Sequence, residues 1–204
     1  MHRFLRVVLV MALLVTCPMM WADVIDQSFT QGSDLGTTIN DCCAYVAQTY
    51  TAGLTGMLAA VAVDIADFGE HLPLDVEIRT VVNGLPTTTI LGATTAMNYS
   101  LSDIIAFNQD IPQVSGTKYA IVVHFDGAPP PPHAEGIWSG ATGNLYAGGD
   151  DVLSFDNGQT FCFCGGQDNF DSHFITYVNE VPEPGSLMLL GSGCLFGLRW
   201  IKSR

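Results

Sequence analysis

Leu74-Asp75-Val76-Glu77-Ile78-Arg79-Thr80-Val81-Val82, followed at once by Asn83-Gly84, is the stretch on which the fold turns. Leu74, Val76, Ile78 and Thr80 fall on one side of an extended chain and Asp75, Glu77 and Arg79 on the other. That period of two is the mark of a strand with one buried face. Asn-Gly supplies the two positive-φ residues of a tight hairpin turn, so a second strand should follow over Thr87 to Leu91. Similar runs lie on both sides: Val24 to Thr30, Ala44 to Thr51, Leu58 to Ala66, Tyr119 to Phe125, the neighbourhood of Trp138, Tyr146 to Gly149, Leu153 to Phe161 and Phe174 to Val178. Turn signals such as Ala52-Gly53-Leu54-Thr55-Gly56 and the polyproline run Ala128 to His133 separate them, and no amphipathic helix is evident. Roughly eight to ten short strands at this spacing predict an all-β fold, a single antiparallel β-sandwich of jelly-roll type over residues 24–180.

The two flanks of that body read differently. Arg3 and Arg6 precede the apolar run Val7 to Val15, and Ala22 offers a small residue for cleavage, so residues 1–22 predict a signal peptide with a helical apolar core. Residues 181–204 read VPEPGSLMLLGSGCLFGLRWIKSR. Pro182 and Pro184 hold Glu183 extended and accessible. Ser186 to Trp200, about 15 residues at ~1.5 Å each, would make a short membrane helix of roughly 22 Å from Leu187 towards Leu198. Arg199, Lys202 and Arg204 form a basic end that stays cytoplasmic. The motif Val181-Pro182-Glu183-Pro184, the apolar helix and the basic end, in that order, resemble the PEP-CTERM tail of exported bacterial proteins. The resemblance implies an exosortase-type processing enzyme as partner, transient anchoring in the inner membrane, and a final place at the cell surface or outside the cell. Such tails accompany polysaccharide-producing systems, so exopolysaccharide is a further candidate partner.

Of the 20 acidic residues only Asp23 and Glu183 lie outside Val24 to Glu180, and of the 7 basic ones only Arg79 and Lys118 lie inside it, so the body carries a net charge of −16. A surface so poor in Lys and Arg has nothing with which to neutralise phosphates, which excludes nucleic acid as a partner. Four cysteines fall in the body: the adjacent pair Cys42 and Cys43, and the pair Cys162 and Cys164. In an exported domain an even number predicts disulfides, and two long-range bridges between the pairs avoid the strained link between neighbours. A zinc site would need wider ligand spacing than adjacent cysteines give.

Three constellations bear on chemistry. Ser154-Phe155-Asp156-Asn157-Gly158-Gln159-Thr160-Phe161 resembles an Asp-box, whose carboxylate accepts N–H groups within its own turn; that implies structure rather than catalysis. Asp150, Asp151, Asp156, Asp168 and Asp171 crowd one stretch, and calcium is the cofactor such loop carboxylates would hold. The plain alternative is an acidic, solvated loop. Trp138 and Tyr146, with Phe155 and Phe161, would make a sugar-stacking platform unless they belong to the core. No catalytic residue emerges: Gly136-Ile137-Trp138-Ser139-Gly140 has its serine in the wrong place for a nucleophile elbow, and His71, His124, His133 and His173 are scattered.

The segments Gln48-Thr49-Tyr50-Thr51-Ala52-Gly53, Leu74-Asp75-Val76-Glu77-Ile78, Asn83-Gly84-Leu85-Pro86, Gly116-Thr117-Lys118-Tyr119-Ala120-Ile121-Val122 and Tyr146-Ala147-Gly148-Gly149 also occur in an order that resembles the choice-of-anchor β-sandwich domains of bacterial surface proteins. That resemblance implies a sandwich and a surface location, and no activity. The expected function is therefore that of an exported surface or extracellular-matrix protein with a non-catalytic structural or adhesive body. A calcium-assisted carbohydrate-binding module is the alternative, and a glycan-active enzyme the third.

Overall fold

The computed structural model describes residues 23–32, 34–39, 45–67, 73–97, 99, 103–125, 136–163 and 169–180. They form thirteen strands: β1 (Asp23–Phe29), β2 (Asp34–Ile39), β3 (Tyr45–Thr51), β4 (Gly56–Val63), β5 (Ile65–Asp67), β6 (Leu74–Val82), β7 (Leu85–Ala96), β8 (Asp103–Gln113), β9 (Lys118–Phe125), β10 (Gly136–Thr142), β11 (Asp151–Ser154), β12 (Phe170–Ser172) and β13 (Phe174–Glu180). There is no helix among the described residues. The expected signal helix and membrane helix lie outside them.

Two antiparallel sheets carry the fold, one ordered β1-β13-β4-β8 and the other β11-β3-β9-β6-β7. Without the short edge strand β11, the alternation of the chain between these sheets is that of a jelly roll. Val61, Val63, Ile105, Phe107, Phe174 and Val178 from the first sheet meet Val46, Tyr50, Leu74, Val76, Ile78, Ile121 and Val123 from the second in one apolar core. The hairpin at Asn83-Gly84 forms as its composition requires, with φ of 53° and 83° at the two residues.

A third, smaller sheet, β12-β10-β2 with β5 also on β10, closes one end. It exists because two long strands bend out of the first sheet. Leu58 to Ala66, which reads in the sequence as one run, breaks at Asp64; β12 and β13 are likewise parted by His173. Ser139 of β10 sits between the two breaks: its N–H donates to Asp64 O (2.8 Å) and its carbonyl accepts from His173 N (2.8 Å). Backbone groups released by both bends are thus satisfied by a third strand.

Other differences from the sequence reading have local causes. Tyr146 to Gly149 is a turn, not a strand, because Gly149 lies against Thr49, whose carbonyl oxygen occupies the place of a side chain. Only the first residues of Leu153 to Phe161 are strand, and the remainder is the Asp-box hairpin. β2 and β8 were not legible at all. In β8, Asn108, Asp110 and Pro112 look like strand breakers. The first two are tolerated because Phe107 to Asp110 arch out opposite the single residue Ala59, between the pairs Ala60–Ala106 and Leu58–Ile111. Pro112, opposite Met57, is tolerated because β8 is an edge strand.

The polar face of β6 is covered rather than solvated. Arg79 donates from Nε to Glu77 Oε2 (2.6 Å) and from a terminal nitrogen to Gly158 O (2.6 Å). Its guanidinium lies over the rings of Tyr45 and Phe161, at 5.7 and 5.6 Å. The hairpin of residues 154–161 therefore lies on the outside of the five-stranded sheet, above a small cluster of Ala47, Ala120, Val122, Val152 and Phe161.

Candidate functional site

The sorting residues Val181, Pro182, Glu183, Pro184, Leu187, Leu198, Arg199, Lys202 and Arg204 lie outside the described residues, as do Cys42, Cys43, Cys164 and Asp168. Cys162 is described and is disulfide-bonded. Its backbone pairs in both directions with Leu153 (2.9 and 3.1 Å), which places it beside β11.

The structure divides the acidic stretch into two unlike parts. Asp156 is exposed and fully engaged in its own turn. Oδ1 accepts from Gln159 N (3.1 Å), Thr160 N (2.8 Å) and Ser154 Oγ (2.8 Å), and Oδ2 from Thr160 Oγ1 (2.6 Å). The Thr160 hydroxyl and amide, first among these donors, hold the carboxyl down at about 2. Both carboxylate oxygens are thus engaged within the turn, which is the self-satisfied structure expected of an Asp-box.

Asp151 and Asp171 are instead buried between the second sheet and the small third sheet. Asp151 Oδ2 accepts from Ser172 Oγ (2.6 Å) and Thr37 Oγ1 (3.3 Å), while its Oδ1 has no hydrogen-bond partner. Asp171 Oδ2 accepts from Tyr146 N (2.8 Å), and its Oδ1 is also without one. Burial pushes the Asp151 carboxyl up to about 7, opposed by the Ser172 and Thr37 hydroxyls and reinforced by the charge of Asp171. Burial also raises Asp171, with Asp150 adding to the effect. Gln48 completes the seam: its Oε1 accepts from Ser172 N (2.7 Å). Among the described residues no three His, Cys, Asp or Glu side chains are grouped to hold a metal ion. Asp156 is thus set apart from Asp151 and Asp171.

Trp138 is fully buried, and its indole N–H donates to His173 O (2.8 Å). No ring face is left for a sugar, because β10 turns this side chain into the main apolar core. Tyr146 is partly buried, edge-on to Phe174 at 5.1 Å, and its hydroxyl donates to Gln27 Oε1 (3.0 Å). Phe161 is buried in the small cluster and Phe155 is 57% exposed, so these four aromatics form no platform.

Two histidines sit in charged surroundings. His173 has Nδ1 3.4 Å from Asp64 Oδ2, and Ser139 is close by, but its Nε2 faces Gln31 O at 3.0 Å. A base needs that nitrogen free to take a proton from a nucleophile, and here a backbone carbonyl occupies it. His124 stacks under Tyr45 with centroids 4.0 Å apart and has Nε2 3.4 Å from Glu77 Oε1. Glu77 is held below its ordinary range: burial opposes this, and the bonds from His124 and Arg79 prevail.

An open cleft of about 420 Å³ lies at the arch of β8, lined by Met57, Ala59, Asn108, Gln109, Asp110 and Asn179 among others. Sequence reasoning missed it because the arch is a product of pairing register, and no local pattern marks it.

The fold is shared with a surface protein. The crystal structure of the cysteine protease and lectin-like domains of Cwp84, a surface layer associated protein of Clostridium difficile, matches 78% of this chain and 36% of its own, at 15% identity and a TM-score of 0.51. At that identity the likeness is one of fold alone. No curated protein matches the chain. Residues 180–204, which begin at the last residue of β13, match the PEP-CTERM protein-sorting motif, and the chain is accordingly an exported protein of the kind sorted by an exosortase-type enzyme.

Proposed function

We propose that the protein is a cell-surface or extracellular-matrix component whose β-sandwich is a non-catalytic structural or adhesive module. Its residues 181–204 hold it in the inner membrane until an exosortase-type enzyme cuts the tail. The observation that carries this reading is the match of residues 180–204 to the sorting motif. Two further facts support it. The polar groups best suited to catalysis, His173, His124, Glu77 and Asp156, are engaged by neighbours within the fold. The Cwp84 neighbour, whose structure comprises cysteine protease and lectin-like domains, is described as surface layer associated.

A second reading, calcium-assisted glycan binding, is favoured by one observation: Asp151 and Asp171 each bury an oxygen without a partner, and hard cations take such oxygens.

The test is fractionation of the exporting cell expressing the full chain or its Glu183→Ala variant, with an antibody against the body. The wild type should be found shortened, in the surface or extracellular fraction, and the variant at full length in the inner membrane. Full-length wild type retained in the membrane, or identical processing of the variant, would refute the reading.

A further inference from the structure

We propose that the cleft at the arch of β8, with the apolar trough beside it, binds a neutral glycan chain. This rests on the surface-adhesive reading and names the ligand class of that body.

The cleft is made by the mismatch in pairing between β4 and β8. Four residues, Phe107 to Asp110, span the distance that Ala59 spans alone, so the chain stands away from the sheet and leaves a hollow. Across the edge of the sandwich, Gly92 of β7 makes room for the arch: a side chain there would collide with Ile111 and lie 2.8 Å from Gln109 Nε2. The hollow is thus built by backbone on both sides.

Its polar lining is three carboxamides and one carboxylate, from Asn108, Gln109, Asn179 and Asp110. A carboxamide presents a donor and an acceptor side by side, and a carboxylate accepts two hydroxyls at once. That complement suits the vicinal hydroxyls of a sugar ring, each both donor and acceptor. Asn179 Oδ1 has no hydrogen-bond partner, and a ligand hydroxyl would satisfy it once the amide turns. No lysine or arginine is among the described residues that line the cleft, and the body's charge of −16 repels polyanions. Neutral chains are therefore preferred.

Beside the cleft, the stretch of the four-stranded sheet centred on Ala60 and Ala62 is uncharged on its outer side, and the exposed Asp23 lies farther along, opposite Asn179. Val61 and Val63 point to the core, so Ala60 and Ala62 point outward. Ala60 pairs with Ala106 on one side and Tyr177 on the other, and Ala62 with Ile104 and Ile175. Ala60 and Ala62 are themselves buried, at 5% and 4% exposed, so the accessible sides of this trough are Ile104, which is 61% exposed, and the half-buried Tyr177. Sugar rings carry apolar C–H faces that pack on such surfaces, Tyr177 above all. A chain of several residues would lay its C–H faces along the trough and place one ring's hydroxyls in the cleft.

The test is titration of the full chain, in detergent micelles, with neutral hexasaccharides: β-1,4-glucan, α-1,4-glucan, β-1,4-mannan and chitin-type oligomers, with hexagalacturonate as the anionic comparison. Calorimetry should show binding of at least one neutral oligomer below about 10 mM and none of the anionic one. Asp110→Ala and Asn179→Ala should each weaken that binding about tenfold. Thr88→Ala, on the exposed part of β7, should leave it unchanged. Asp110 is exposed on the arch, so its variant tests the site without threatening the fold. Absence of binding to every neutral oligomer, equal binding of the anionic one, or binding insensitive to both variants would overturn the proposal. A protein that is processed and displayed yet binds none of them sinks this inference alone; one that is never displayed sinks the surface reading itself.

Discussion

Replacing Asp151 with Asn should change how the stability of the body depends on pH, and in a direction opposite to most carboxylates. Burial lifts the Asp151 carboxyl from 3.8 to about 7, so between those limits the folded chain keeps a proton that the unfolded chain has released. Protons then favour the native state, and stability falls as pH rises through this window. Each pH unit of difference is worth about 1.4 kcal/mol. The total comes to at most about 4 kcal/mol, of which roughly 2–3 kcal/mol should be lost between pH 5 and pH 8. Asn keeps an oxygen to accept from Ser172 Oγ and Thr37 Oγ1 but has no charge to bury. Any cost of placing its NH2 group at the position of Oδ1 is the same at both pH values. Urea unfolding of the oxidised body at pH 5 and pH 8 should therefore show the variant gaining on the wild type by about 2–3 kcal/mol as pH rises. Parallel behaviour of the two proteins would refute the argument and mean that Asp151 is effectively solvated. Millimolar calcium decides the second reading in the same assay: it should stabilise the wild type at pH 8 and not the variant if a cation sits on Asp151 and Asp171, and do nothing otherwise.

Three further outcomes are expected. Arg79→Ala removes the partner of buried Glu77 and the donor to Gly158 O, so it should cost about 3–5 kcal/mol in denaturant unfolding. Little change would show that the hairpin is held by its apolar contacts alone. Trp138→Phe keeps most of the buried volume but leaves His173 O without its donor, for a loss of about 1–3 kcal/mol in the same measurement; a neutral result would mean that water replaces the indole. Peptide mapping of the unreduced protein should find Cys162 linked to Cys42 or Cys43, because Cys162 lies two ladder positions from Val46, near where β3 begins. A link from Cys162 to Cys164 would contradict this, whereas the expected loop should contribute roughly 3–5 kcal/mol, lost on reduction.

Much of the sandwich was legible because its strands obey local rules. Leu74 to Val82 alternates cleanly, Asn83-Gly84 can hardly do anything but turn, and both behave as read. Ser154 to Phe161 likewise encodes its hairpin in consecutive residues. What escaped the sequence depends on distant partners. Ser139 satisfies the two bends at Asp64 and His173, and neither bend is marked by a glycine or proline. The covering of Glu77 and Arg79 requires a hairpin some eighty residues away. Trp138 reads equally well as surface or core until one face of β10 is laid on the main core. The candidate cleft is the extreme case, since Asn108 to Asp110 look like an ordinary loop and only the register of β4 against β8 makes them a wall. The aspartates were visible as a group, but strand alternation and burial, not proximity in sequence, part Asp156 from Asp151 and Asp171.

β13, the strand that ends where the sorting motif begins, is not at an edge. It is clamped between β1 and β4, with residues 174–180 paired against 56–63 and Asn179 opposite Asp23. A pull transmitted from the membrane side therefore runs along β13 and strains the hydrogen bonds of both ladders together, in shear. An edge strand pulled the same way would have one ladder to resist with instead of two. Forced unfolding is governed by the unfolding rate rather than by equilibrium stability, and shearing two ladders at once makes that rate slow. The chain thus leaves the domain from a strand held on both sides.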